Sequence, residues 1–216
     1  MRPLYEDHMH LSTPAFAHGT PIPSRFAFLR PHPTERVELS SNVSPALDWA
    51  DVPAGTRSFV LTCHDPDVPS RADDVNKPDR RIPADLPRME FFHWVLVDIA
   101  ADVRALPEGE GSSGITPRGK PGPDAPGGRR HGLNDFTAWF KGDKDMEGAY
   151  FGYDGPCSPF NDTILHHYWF TLYALDVPRC PIEGTADARQ VLAAIQPHVL
   201  ARATVMGTYS LAPDVG

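Results

Sequence analysis

Cysteine is scarce in this chain, and the little there is forms no pattern. Cys63, Cys157 and Cys180 lie at irregular distances, so neither a disulfide framework nor a zinc-binding spacing can be read from them. A reducing compartment is the simpler expectation. Long hydrophobic runs are absent: no stretch approaches the roughly 20 apolar residues that a membrane-spanning helix needs. Residues 1–8 lack the apolar segment of a secretory signal and are expected to be flexible. Positive charge is also short, 20 Lys+Arg against 28 Asp+Glu for a formal net charge of −8. That balance argues against nucleic acid as a partner and against electrostatic anchoring on anionic lipid. Gly-x-Ser-x-Gly is missing, which weakens an α/β-hydrolase reading. The expectation is a soluble, cytoplasmic protein with no stable membrane insertion.

Proline and glycine are plentiful, at 24 and 17 of 216 residues, and the hydrophobic share of 41% supports a real core. That usage suits a β-rich fold with many turns and long loops, organised as one domain over 1–216. Residues 59–63, 91–99 and 167–175 are rich in β-branched and aromatic side chains between Gly, Pro or Asp, and read as buried strands. Weaker strands are expected at 36–39 and 205–210, with a short one within 9–16. Residues 186–203 read as a helix opened by an Asp187/Gln190 capping box. Val191, Leu192, Ile195, Val199 and Leu200 form its apolar face, and Pro197 should kink or split it. Gly109 to Gly132 is a long Gly/Pro-rich stretch, and about 114–149 reads as a long loop insertion.

Asp65-Pro66-Asp67-Val68-Pro69 follows the first strong strand. Two prolines stiffen two carboxylates at what reads as a strand exit. Gly114-Ile115-Thr116-Pro117-Arg118-Gly119-Lys120 has P-loop spacing, but Pro121 stands where the magnesium-binding Ser or Thr belongs, and no helix can open there, so a nucleotide-binding reading fails. His8 and His10 could share one strand face but have no third metal ligand, and no metal or cofactor is expected. Cys157 lies in the stiff run Gly152-Tyr153-Asp154-Gly155-Pro156-Cys157-Ser158-Pro159, ahead of His166 and His167. It is either a nucleophile beside an imidazole or incidental in a loop that offers backbone amides to an anion, and the second fits better. Strand parity groups His93 with Phe91, Val95 and Val97, and His166 with Tyr168, Phe170 and Leu172. Two histidines among apolar neighbours suggest a polar pocket.

Taken together these motifs resemble the phosphatidylethanolamine-binding protein family, in particular its bacterial Raf-kinase-inhibitor-like branch. The first family motif resembles Asp65-Pro66-Asp67-Val68-Pro69, followed by Phe92-His93-Trp94-Val95. The second resembles Gly152-Tyr153-Asp154-Gly155-Pro156-Cys157-Ser158-Pro159 and then His166-His167-Tyr168, with Ser158 where a proline is frequent and His167 where arginine is frequent. Asn42-Val43-Ser44-Pro45, Trp49, Val52-Pro53-Ala54-Gly55-Thr56 and Ala174-Leu175-Asp176 extend the match. The resemblance implies a mainly β, sandwich-like fold of antiparallel strands with one C-terminal helix. It also implies a small pocket for anionic or phosphate-bearing head groups. Carried onto this chain, Asp65, His93 and His166 would line that pocket, Asp67 and Tyr168 would support it, and Gly155, Pro156 and Cys157 would form its loop wall. Two imidazoles can donate to anion oxygens, while Asp65 either orients a histidine or receives an ammonium group. The implied activity is non-enzymatic binding of a small ligand, with regulation of a protein partner and a homodimer suggested by the relatives. The alternative is a hydrolase using Cys157 or a His/Asp pair.

Overall fold

The computed structural model describes residues 9–215. His8, half of the His8/His10 pair, and residues 1–8 as a whole lie outside them. Along the chain the elements are β1 (His10–Ser12), β2 (Leu29–His32), β3 (Arg36–Leu39), β4 (Leu47–Ala50), β5 (Ser58–Pro69), β6 (Arg88–Ala100), β7 (Ala105–Leu106), β8 (Arg130–His131), α1 (Phe136–Trp139), β9 (His166–Leu175), α2 (Ala188–Ile195) and β10 (Val199–Tyr209). Antiparallel strands form a five-stranded sheet in the order β10-β9-β5-β6-β8, a three-stranded sheet β1-β4-β7 and the hairpin β2-β3.

The alternation of buried side chains explains this layering. Leu61, Cys63, Trp94, Leu96, Phe170 and Leu172 leave one face of the large sheet and meet Leu11, Leu47, Trp49 and Leu106 of the small sheet in one apolar core. Trp49 and Phe59 pack edge to face at 5.6 Å across that layer. The opposite face carries Val60, Phe92, Val95 and Val97, which pack under Val191 and Ile195 of α2. The capping box forms as the sequence predicts: Asp187 accepts from the Gln190 N–H at 2.9 Å, and Gln190 returns a bond to the Asp187 N–H at 3.0 Å.

Four expectations need correction, three of them in the helix and the long strands. The helix expected over 186–203 stops at Ile195; Gln196–His198 is a single 3-10 turn around Pro197, and Val199 and Leu200 open β10 rather than extending the helix face. Proline cannot continue the backbone ladder, and the β-branched run that follows pairs with β9 instead. Asp65-Pro66-Asp67-Val68-Pro69 is not a strand exit. β5 runs through it to Pro69 with a bulge, since Asp65 pairs with Phe91 and Val68 with Met89, leaving Pro66 and Asp67 opposite Glu90 alone. A bulge is where a strand tolerates a residue without an N–H. Finally, His93 does not share a face with Val95 and Val97. Cys63 pairs with Trp94 and His64 with Phe92, so His93 is an extra residue on β6, and the bulge turns its ring away from the helix-covered side.

The segment 114–149 is not unbroken loop. It contributes β8 and α1, and its Lys120 enters the protein interior.

Candidate functional site

The two bulges lie side by side on β5 and β6 and open a pocket of about 240 Å³. At its polar end are Asp65, His93, Cys157 and His166. Its sides are aromatic. Phe136 of α1 stacks on Phe28 at 4.9 Å and meets Phe91 edge-on at 5.2 Å, and Phe140 completes that wall.

His166 is fully buried, with both ring nitrogens engaged: Nδ1 lies 2.6 Å from Asp65 Oδ2 and Nε2 lies 3.1 Å from Asp162 Oδ2. Burial alone would lower its pKa, but the two carboxylates outweigh burial and hold it up at about 9. His166 is therefore an imidazolium at neutral pH, donating to both. Asp162 also accepts a forked bond from Arg88, at 2.6 and 3.1 Å. Against the effect of burial, His166 and Arg88 bring the Asp162 pKa down to about 2. The result is a chain of alternating charge, Asp65–His166–Asp162–Arg88, without net charge. Asp65 Oδ1 accepts the Asp67 N–H at 2.8 Å, so this carboxylate is occupied in orienting the histidine.

His93 is the counterpart. Its Nδ1 donates to the Asp154 carbonyl at 2.7 Å, and its ring packs on Tyr168 at 5.2 Å and Phe136 at 5.5 Å. Burial pushes its pKa down, against the pull of Asp65, so the ring is neutral and Nε2 keeps its lone pair. Nε2 has no hydrogen-bond partner among the described residues. Behind His93, Asp154 is completely buried. Its carboxylate accepts from Lys120 Nζ at 2.9 Å, Asn42 Nδ2 at 2.8 Å and Asn134 Nδ2 at 2.8 Å. Its N–H and carbonyl hold the His93 backbone and ring.

The other residues singled out from sequence fall around this centre rather than in it. Tyr168 lies beneath His93, and its hydroxyl accepts the Cys157 N–H at 3.3 Å. Asp67 is not in the pocket lining; its carboxylate accepts from the His167 N–H at 2.9 Å and lies 2.8 Å from His167 Nδ1. Gly155 and Pro156 back the pocket: the Gly155 N–H donates to Asn42 Oδ1 at 2.8 Å, and the Pro156 carbonyl accepts from the Phe28 N–H at 3.0 Å. A Cβ at Gly155 would run into the Phe26 carbonyl oxygen, which cannot move without breaking the segment. Gly155→Ala is accordingly expected to cost about 1–3 kcal/mol or more by overpacking, read as a shifted urea midpoint. Burial, with Asp154 nearby, pushes the Cys157 thiol up to about 12, so it stays protonated.

Arg88, Asp162, Asp154 and Lys120 were not marked as site residues by sequence. Arg88 reaches Asp162 across 74 positions, and Lys120 reaches Asp154 across 34, separations at which no local spacing carries a signal. Phe136 and Phe140 lie in the segment read as loop, where aromatic residues were the one visible hint.

The family model for phosphatidylethanolamine-binding protein matches residues 12–210. The UPF0098 protein YbhB of Escherichia coli (strain K12) is 34% identical over 169 residues, 78% of this chain and 82% of its own length. A UPF0098 protein of Methanothermobacter thermautotrophicus is 31% identical over 201 residues, covering 93% of this chain and 98% of its own. Among solved structures, E. coli YbcL, described as a new member of the mammalian PEBP family, superposes with a TM-score of 0.66 at 25% identity over 94% of this chain and 98% of that one.

Proposed function

The chain belongs to the phosphatidylethanolamine-binding protein family, and from that premise we propose that it is a non-enzymatic binding protein whose pocket takes a small anionic or phosphate-bearing head group. The observation that supports this reading is the free Nε2 of His93 at the polar end of an aromatic-walled pocket where the other charges are already paired. A neutral pocket with one open imidazole nitrogen binds an anion only together with a proton. Either His93 is protonated and donates, or a singly protonated phosphate donates to Nε2. Asp65 and His166 shape the end of the pocket and give it a fixed, compensated charge.

Binding is thus expected to tighten as pH falls, since the bound anion raises the His93 pKa from a lowered starting point. Between the free and bound pKa values each unit of pH changes affinity by up to about tenfold. The test is a titration with inorganic phosphate and with phosphoethanolamine at several pH values, following the histidine ring signals by NMR. Saturable movement of the His93 signal, lost in His93→Ala, is the expected result. A His93 signal that stays put in a folded protein at every pH overturns the proposal.

No observation favours the hydrolase alternative. Cys157 carries a protonated thiol with no imidazole hydrogen-bonded to it among the described residues, and His166 has no free nitrogen to act as a base. Regulation of a protein partner and a homodimer belong to the same proposal through the resemblance to relatives. A cytoplasmic setting fits the free Cys63, Cys157 and Cys180, and among the described residues no helix is long and apolar enough to cross a membrane.

A further inference from the structure

One turn of helix supplies a whole side of the pocket. Phe136, Trp139 and Phe140 are spaced three and four residues apart, which puts them on one side of α1, and all three line the cavity. They grade outward from the polar end: Phe136 is buried, Phe140 is half-buried and Trp139 is 46% exposed. Phe136 packs on the His93 ring at 5.5 Å, and Phe140 lies 5.5 Å beyond Phe136. Phe28 continues the wall 6.1 Å from Phe140. An aromatic surface therefore runs from His93 to the mouth.

The mouth is apolar as well. Leu39, Met89 and Trp139 are the exposed large apolar side chains among the described residues. Leu39 pairs directly with Leu29 and Met89 with Val68, and both of those partners line the pocket. Directly opposed residues carry their side chains on the same face about 5 Å apart, so all three stand around one opening. Scattered singly they would need no explanation; gathered at one entrance they do.

The lining offers little to a polar body. Beyond the polar end its one amide is Asn76, whose Oδ1 already accepts from the Phe160 N–H at 3.1 Å. A sugar would leave its hydroxyls unmet along the aromatic wall. Size limits the ligand further. A dry apolar cavity of about 150 Å³ holds benzene. This one, at about 240 Å³, has room for one ring with a small head group and not for a pair of acyl chains. His93 is only 3% exposed, yet its unpaired Nε2 is not among the buried atoms sealed off from any partner. A head group bonded there directs an attached body along Phe136 and Phe140 toward Trp139.

We infer that the ligand is a monoaryl phosphate, with the phosphate at His93 and the single aromatic ring against the α1 wall. This inference rests on the anion-binding reading above and adds the class of body that the anion carries. Aromatic pairs gain about 0.5–1.5 kcal/mol beyond the area they bury, which favours a flat ring over an alkyl or saturated one.

The experiment titrates the full chain at about pH 6 with phenyl phosphate, cyclohexyl phosphate, phosphoethanolamine and inorganic phosphate. The His93 ring and the Trp139 indole N–H are followed by NMR. Phenyl phosphate is expected to shift both signals and to bind about tenfold or more tighter than inorganic phosphate or phosphoethanolamine. Cyclohexyl phosphate should bind about two- to tenfold more weakly than phenyl phosphate. In Trp139→Ala, whose folding the spectrum verifies, the preference for phenyl over inorganic phosphate should shrink about threefold or more. Phenyl phosphate that moves His93 but binds no tighter than inorganic phosphate overturns the inference and leaves the anion reading standing. Cyclohexyl phosphate binding as tightly as phenyl phosphate overturns it too, as does a preference indifferent to Trp139. A His93 signal unmoved by every probe overturns both readings.

Discussion

Asp162→Ala is expected to destabilise the protein by about 3–5 kcal/mol, because it removes the middle carboxylate from a buried chain of charges, leaving Arg88 with only the Asp67 and Pro83 carbonyls and one nitrogen of His166 without its acceptor. Asp162→Asn should cost less, since the amide oxygen still accepts one of those bonds. The same chain sets the pH dependence of the native protein. The folded pKa of His166 lies above its ordinary 6.5, at about 9, so its contribution is fully present below 6.5 and is lost as pH rises through about 9. A shift of that size corresponds to about 3 kcal/mol. Asp162 works in the opposite direction: its pKa falls from 3.8 to about 2, so its share holds above 3.8 and disappears as pH drops through about 2. In Asp162→Ala, His166 retains only Asp65, and the alkaline loss of stability should begin at lower pH. Urea unfolding from about pH 1.5 to about pH 10 reads both limbs. A loss below about 1 kcal/mol for Asp162→Ala, or an unchanged alkaline limb, would show that the chain does not stabilise the fold.

How much of this was legible in the sequence depends on the range of the interaction. The strands at 59–63, 91–99 and 167–175 could be read because a sheet buried on both faces draws on short runs of β-branched and aromatic side chains, bounded here by Gly, Pro or Asp. The capping box could be read because its partners lie three residues apart. The bulges could not. They arise where β5 and β6 are paired, and neither strand alone records that Phe92 and Trp94 face His64 and Cys63 with His93 left over. That single extra residue is why parity arguments placed His93 with Val95 and Val97, although its ring turns to the other side.

For the candidate site, residue types and family motifs pointed to Asp65, His93, Cys157 and His166, which do line one pocket. They did not assign roles. Both histidines looked like anion donors, whereas His166 is locked between two carboxylates and His93 alone has a free nitrogen. The difference comes from Asp162, four residues before His166, and from Asp154, 61 residues after His93, whose effects depend on burial and on Arg88, 74 residues before Asp162, and Lys120, 34 before Asp154.

Lys120→Met and Asp154→Leu should each destabilise the protein by about 3–5 kcal/mol, while the double variant should recover most of that loss. Each single change strands a buried charge. Lys120 without Asp154 keeps only Ser112 Oγ and the Tyr153 carbonyl, and Asp154 without Lys120 keeps only the amides of Asn42 and Asn134. The direction of the Lys120 pKa indicates which way the pair tips. Burial lowers it from 10.5 even with Asp154 alongside, so the folded protein holds this proton less tightly than the unfolded chain does. Where the unfolded state binds more protons, stability rises with pH. Lys120 therefore favours the folded state as pH climbs toward 10.5, opposite in sign to His166 over its own window. Burial costs Lys120 more than Asp154 returns to it, and buried ion pairs can often be replaced by apolar side chains of similar volume, which is why the double variant should approach the native stability. Its weakness should show at the pocket instead. The Asn42 and Asn134 amides would lose their carboxylate, the segment carrying the Asp154 carbonyl would loosen, and the His93 ring that donates to it would no longer be held in one orientation. Near-native stability with weakened phosphate-dependent His93 shifts is the expected outcome of the cycle. A double variant as unstable as the singles added together would instead mean that Lys120 and Asp154 act independently.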